Sequence, residues 1–207
     1  KLELFQAVKE AVGDDVPVIA GTGSNATAAS VELSRAAADL GVDGIMAVVP
    51  YYNKPSPEGL YQHFLAVAQA VSLPVMVYNV PSRTGRNLDV STAVRLATAA
   101  PNIRAVKEAS GDLEQVTQLR LRLPAAVDIY SGDDALTLPI LALGGIGVVS
   151  VASHLVGDKI AAMINDYMAG NVAGALTLHQ EMFPIMKALF ITSNPAPVKW
   201  AMKRLGH

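Results

Sequence analysis

Short apolar runs rich in β-branched residues alternate along the chain with longer stretches whose apolar positions recur at helical spacing. This pattern predicts strands at 16–21, 44–50, 74–80, 103–109, 127–132 and 147–152. It predicts helices between them at 26–40, 57–71, 90–99, 113–123 and 135–143, then further helices at 159–169, 172–190 and 197–205. Residues 1–9 form an amphipathic helix pattern with no strand before it. Strand starts recur every 20 to 30 residues or so, the period of a repeated β-loop-α unit. Runs such as Ile45-Met46-Ala47-Val48-Val49 are apolar at successive positions, as a parallel strand buried on both faces must be. An open doubly wound sheet and a closed (β/α)8 barrel both fit, and both place their chemistry just beyond strand ends.

Composition narrows the partners. The 207 residues are 51% hydrophobic and 16% charged, enough to bury a core and unlike a disordered chain. A net charge of -2 and a pI near 6.1 give no attraction to nucleic acid or to an anionic membrane. No apolar run reaches the ~18 residues of a membrane span, and the opening residues do not read as a signal peptide. The absence of cysteine excludes disulfides, thiolate metal sites and cysteine nucleophiles, and fits a reducing, cytoplasmic location. His63, His154, His179 and His207 show no metal-ligand spacing and read as surface or capping residues, so no metal is expected.

Several segments carry candidate chemistry. Gly21-Thr22-Gly23-Ser24-Asn25-Ala26 fits the loose dinucleotide-binding pattern, with Asp39 and Asp43 downstream as ribose ligands. The plainer reading is a strand-to-helix turn in which Ser24 or Asn25 caps the helix. Gly144-Gly145-Ile146-Gly147 precedes a strand, and so reads as a helix end and turn before it reads as a phosphate cradle. Lys107 ends an apolar run on the face of Ile103 and Ala105 by the two-residue period. A solvated strand-end lysine is one reading. A Schiff-base nucleophile is the other, and it needs desolvation or nearby positive charge, because a free lysine is only about 0.04% neutral at pH 7. One predicted strand earlier, Tyr78 ends an apolar run and Arg83 and Thr84 follow on the loop; one strand before that stand Tyr51 and Tyr52. A phenol can shuttle protons and a guanidinium can clamp a carboxylate. Three successive strand ends thus offer phenols, a guanidinium and an amine.

These segments resemble the pyruvate-dependent class I aldolase/lyase superfamily, and within it the 4-hydroxy-tetrahydrodipicolinate synthase (dihydrodipicolinate synthase) family. The matching pieces are Gly21-Thr22-Gly23 with Asn25-Ala26-Thr27, Pro50-Tyr51-Tyr52-Asn53-Lys54-Pro55, Glu58-Gly59-Leu60-Tyr61-Gln62-His63-Phe64, the stretch 78–85, Val106-Lys107-Glu108-Ala109-Ser110-Gly111, Ser131-Gly132-Asp133-Asp134 and Asn194-Pro195-Ala196-Pro197-Val198-Lys199. The resemblance implies an α/β fold, a (β/α)8 TIM barrel, incomplete here because its first two strands, its Gly-Thr-Thr-Gly-Glu motif and its C-terminal helices have no counterpart. The chain then divides into a six-stranded partial barrel at 1–155 and a helical region at 156–207.

The implied activity is condensation of pyruvate with L-aspartate 4-semialdehyde in lysine and diaminopimelate biosynthesis, with no cofactor beyond pyruvate bound to Lys107 as an imine. By resemblance Tyr78 is the general acid/base and Tyr52 a relay tyrosine that reaches a neighbouring subunit's site. Arg83 and Thr84 bind substrate, while Gly132 and Val149 line the pyruvate pocket. Gly23, Asn25 and Tyr51 match the family's lysine-inhibitor site at a dimer interface, where Ala29 replaces an acid and predicts weak inhibition. A homodimer or homotetramer is implied, with neither nucleic acid nor membrane as partner. The competing readings are an N-acetylneuraminate or 2-keto-3-deoxy sugar acid aldolase, a non-catalytic remnant of the fold, and a nucleotide-binding open α/β domain built on the Gly21 turn. Arg83 favours the aspartate-semialdehyde enzyme over the sugar aldolases, which meet polyols with other groups.

Overall fold

The computed structural model describes residues 1–207 and alternates strands with helices from near its start. In chain order the elements are α1 (Leu2–Val12), β1 (Ile19–Gly21), α2 (Thr27–Asp39), β2 (Gly44–Val48), α3 (Pro57–Gln69), β3 (Val75–Asn79), α4 (Pro81–Thr84), α5 (Val90–Ala99), β4 (Ile103–Glu108) and α6 (Leu113–Arg122). There follow β5 (Asp128–Ser131), α7 (Thr137–Ala142), β6 (Gly147–Val148), α8 (Ser153–Met168), α9 (Val172–Ala188) and α10 (Ala196–Arg204). The chain divides into two compact units, Lys1–Ile129 and Tyr130–His207.

In the first unit β1, β2, β3 and β4 pair in chain order, every pair parallel. Ile45, Ala47, Val75, Val77, Ile103 and Val106 are buried on one face of them, and Met76, Ala105 and Lys107 on the other, as strands covered on both faces require. The helices start where the sequence supplies caps. Ser56 accepts from the Gly59 N–H at 3.1 Å before α3, and Pro57 opens that helix. Asp89 accepts from Thr92 N–H at 2.9 Å before α5, and Asp112 from Gln115 N–H at 3.0 Å before α6. Leu60, Phe64 and Val67 on α3, and Ala93, Leu96 and Ala97 on α5, then fall on buried stripes at spacings of three and four.

One irregularity matters for the site. In the β3–β4 pairing Val75 faces Ile103 but Met76 faces Ala105, so Arg104 is an extra residue in β4. Ile103 therefore shares the face of Val77 and Val106, and only Ala105 stays with Lys107. The uninterrupted two-residue period expected from the sequence is broken there.

In the second unit β5 and β6 pair in parallel through Tyr130 with Gly147 and Ser131 with Val148. Its core is Ala152, Ile160, Met163, Ala175, Met182, Met186, Leu189 and Val198, drawn mainly from α8, α9 and α10. The buried Asp134 carboxylate accepts from the N–H groups of Val151 and Ala152 at 3.1 and 3.0 Å and from the Ser150 hydroxyl, tying down the start of α8. That helix begins six residues before the sequence pattern predicts, with non-helical backbone at Val156 marking the interruption. Gly144, with φ of +89°, follows the end of α7, so the glycine run is the helix end and turn expected of it.

Two smaller expectations fail. Neither Ser24 nor Asn25 caps α2: Ala26 is its N-cap residue, and Ser24 Oγ instead accepts from Ala26 N–H at 3.3 Å in a local turn. His63 is no surface residue; it is buried on α3, with Nδ1 2.9 Å from Thr27 Oγ1 and its ring edge-on to Phe64.

Candidate active site

The C-terminal ends of β1 to β4 carry the site of the first unit. Tyr78 and Lys107 are direct partners in the β3–β4 register. Parallel pairing and a shared face bring Lys107 Nζ to 4.0 Å from the centroid of the Tyr78 ring. Lys107 is 9% exposed, so the solvated strand-end reading does not describe it. Burial raises the Tyr78 phenol above its usual range, and the charge of Arg83 works against that rise. Near neutral pH this keeps the hydroxyl protonated, able to donate to a developing oxyanion.

Arg83 is exposed on α4, a single helical turn after β3 where the sequence pattern predicts loop. Pro81 opens it and Gly85, with φ of +73°, closes it in the left-handed region. Thr84 is buried, and its hydroxyl donates to the carbonyls of Val80 and Arg86, at 3.2 and 2.9 Å. Its side chain thus holds the Arg83 turn in shape. The Thr84 carbonyl accepts from Tyr52 N–H at 3.2 Å, which joins the loop after β2 to the loop after β3.

Tyr52 has φ of +76°, a costly conformation for a non-glycine residue, and is 88% exposed. Its ring is therefore not packed on this chain. Tyr51 is half exposed, and Asn53 Nδ2 donates to the Asn25 carbonyl at 2.9 Å, joining the loops after β1 and β2. Gly23 lies against β2, where an added Cβ would sit 2.4 Å from Val48 N and 3.0 Å from Ala47 Cα. Gly23, Asn25, Tyr51, Tyr52, Thr84 and Arg83 thus belong to one set of connected strand-end loops. The dinucleotide reading of the Gly21 turn gains no support, since Asp43 accepts from Val18 N–H and the Lys9 ammonium.

In the second unit Gly132 follows β5 and Val149 follows β6, with Val149 N–H donating to the Ser131 carbonyl at 2.9 Å. They end neighbouring strands, as Tyr78 and Lys107 do in the first unit. No three His, Asp or Glu side chains come together to hold a metal ion. The sequence reading passed over Asn79 and Glu108, which follow Tyr78 and Lys107 directly and are buried. Their signal was a polar residue at the end of each apolar strand, and it was masked by the catalytic candidate beside it.

The model of the dihydrodipicolinate synthetase family matches residues 1–207. The chain belongs to that family. Over 206 residues it is 61% identical to the 4-hydroxy-tetrahydrodipicolinate synthase of Moorella thermoacetica, covering all of this chain and 70% of that relative. Among solved structures, dihydrodipicolinate synthase from Cyanidioschyzon merolae with lysine bound shares 48% identity at a TM-score of 0.97, covering 99% of this chain and 70% of that one. The chloride-inhibited dihydrodipicolinate synthase of Acinetobacter baumannii in complex with pyruvate shares 40% identity at a TM-score of 0.95, with 99% and 70% covered. These superpositions decide between the two architectures that periodicity left open. The fold is that of the (β/α)8 barrel of the dihydrodipicolinate synthetase family, of which this chain supplies six strands, and the nucleotide-binding open sheet is set aside.

Proposed function

We propose that this chain carries out the family's reaction, condensation of pyruvate with L-aspartate 4-semialdehyde to 4-hydroxy-tetrahydrodipicolinate, with Lys107 as the imine-forming residue. The observation that carries the assignment is the buried Lys107 amine lying against the Tyr78 ring at the end of adjacent strands. The neutral amine attacks the pyruvate carbonyl, and loss of water leaves a protonated imine whose nitrogen draws electrons from the neighbouring methyl carbon. Loss of a methyl proton gives the enamine, which attacks the aldehyde carbon. Tyr78 gives its proton to the aldehyde oxygen as that oxygen gains charge. The substrate amine then displaces Lys107 from the imine carbon, closing the ring and freeing the lysine for another cycle.

Arg83 binds the carboxylate of aspartate semialdehyde, presented by a turn that Thr84 and Gly85 keep tight. Gly132 and Val149 offer backbone groups to pyruvate. The exposed Tyr52 serves a second copy of the chain, so the working form is a homo-oligomer. No helix is long and apolar enough to cross a membrane. The substrate assignment is tested by following pyruvate consumption with aspartate semialdehyde and, separately, with sugar-derived aldehydes. Turnover with the semialdehyde, lost in Arg83→Ala mainly through a higher KM, is expected. Preference for a sugar-derived aldehyde would transfer the chain to the sugar acid aldolases.

A further inference from the structure

Behind the Tyr78–Lys107 pair, on the opposite face of the same two strands, lies a second pair that the reaction above does not use. Asn79 and Glu108 are register partners one step beyond Tyr78 and Lys107, and strand alternation turns them away from the reacting side. Glu108 is 2% exposed. Asn79 Nδ2 donates to its two oxygens at 3.2 and 3.0 Å, Gln115 Nε2 donates at 3.0 Å and Ser110 N–H at 2.6 Å. The amides are tied to one another as well. Asn79 Nδ2 and Gln115 Nε2 donate to Asn87 Oδ1 at 2.8 and 3.3 Å, and Asn87 Nδ2 returns a bond to Gln115 Oε1 at 2.8 Å. Leu88 N–H donates to Asn79 Oδ1 at 2.9 Å, which fixes which way that amide faces.

Joining two strands does not call for a buried carboxylate, since apolar residues do it elsewhere in this sheet without the cost of desolvating a charge. Location is what distinguishes this cluster. Glu108 is the last residue of β4 and Asn79 the last of β3, so the regular ladder stops here. One backbone bond, Ala109 N–H to the Asn79 carbonyl at 2.9 Å, lies beyond it. Without side-chain ties the two strand ends could splay, and Tyr78 and Lys107 sit one residue from that point. A misplacement of about 1 Å in a reacting group can cost a hundredfold in rate.

We propose that Glu108 and Asn79 are positioning residues. Their carboxylate–amide contact, backed by Gln115 and Asn87, holds the ends of β3 and β4 together and thereby keeps the Lys107 amine against the Tyr78 ring. This rests on the imine role of Lys107 given above. It also explains why position 108 carries a carboxylate and not an amide. The Asn79 oxygen is taken by Leu88, so its NH2 must face residue 108, where Gln115 NH2 and Ser110 N–H also converge. Only a group that accepts through both oxygens meets all three donors. Glu108→Gln, almost identical in size, brings one NH2 against another. Adding Asn79→Asp reverses the pair: once the Asn87 and Gln115 amides turn over, the new amide at 108 donates to the new carboxylate at 79 and to Gln115 Oε1, Asn87 NH2 donates to residue 79, and residue 79 still has an oxygen for Leu88 N–H.

The test measures the rate at which borohydride traps pyruvate on Lys107, together with kcat and KM, across pH. Failure of the wild-type protein to give an adduct at Lys107 would remove the underlying assignment and is read before any variant. With the adduct present, Glu108→Gln is expected to lower both the trapping rate and kcat by about tenfold to a hundredfold, with KM changed far less. It is also expected to displace the pH of half-maximal trapping, while Asn79→Asp in the same chain recovers much of the lost rate. A folded Glu108→Gln protein with wild-type trapping and pH profile overturns the proposal. So does a loss of rate that matches the loss of folded protein and is not recovered by the reversed pair. Should Glu108→Gln fail to fold, Gln115→Met, which deletes one donor, is read instead; an unchanged trapping rate in that folded variant also overturns it.

Discussion

Replacing His63 by glutamine isolates the histidine that burial perturbs most, and with it a pH limit on stability. The ring is 4% exposed, Nδ1 meets Thr27 Oγ1 and Nε2 has no hydrogen-bond partner. Burial lowers its pKa from 6.5 to about 4. Between those values the unfolded chain binds a proton that the folded chain refuses, so stability rises with pH across the interval. The stabilisation is fully present above pH 6.5 and drains away as pH falls toward 4. At 1.36 kcal/mol per unit the whole effect is about 3 kcal/mol, of which roughly 2.5 kcal/mol is gone by pH 4.5. Urea titrations of the wild-type protein and of His63→Gln, at pH 7.5 and 4.5, measure it. The stability of wild type relative to the variant should fall by roughly 2.5 kcal/mol between the two conditions. A relative stability that is the same at both pH values, or a His63 proton resonance titrating near 6.5 in the folded protein, would refute the reasoning.

Three further outcomes follow from the site and its loops. Gly23→Ala places a methyl 2.4 Å from Val48 N, and since backbone must move to admit it, a loss of about 1–3 kcal/mol is expected in urea titrations. Tyr78→Phe keeps the ring beside Lys107 but removes the proton donor; borohydride trapping should persist while kcat falls by roughly 10²–10⁴, and equal loss of both would deny Tyr78 its acid role. With Ala29 exposed on α2 and no carboxylate at that position, added L-lysine should inhibit only weakly, and strong inhibition in a titration would contradict the reading of Gly23, Asn25 and Tyr51.

The alternation of strands and helices was legible because each buried strand is a short apolar run and each helix carries its own stripe and cap. Ser56, Asp89 and Asp112 mark starts that periodicity alone would blur. What escaped the sequence depends on partners distant along the chain. The extra residue at Arg104 shows only when β4 is laid against β3. His63 becomes a buried residue only once Thr27 and Phe64 surround it. The strand limits also differ: β1 begins at Ile19 instead of residue 16, and β6 is two residues long, because the ladder stops where pairing partners stop. Lys107, Tyr78 and Arg83 were recognisable as strand-end chemistry, but their shared environment follows from register. Gln115, which donates to Glu108, and Asn87, which ties Gln115 to Asn79, look like ordinary surface amides in one dimension and meet only in the fold.

The central claim is that Lys107 forms the imine. Incubating the protein with pyruvate and borohydride, then mapping the modified residue by mass spectrometry, tests it without reference to the second substrate. The account predicts a reduced pyruvate adduct on Lys107 alone, absent from Lys107→Ala. An adduct on another lysine, or none in the folded wild-type protein, would contradict it.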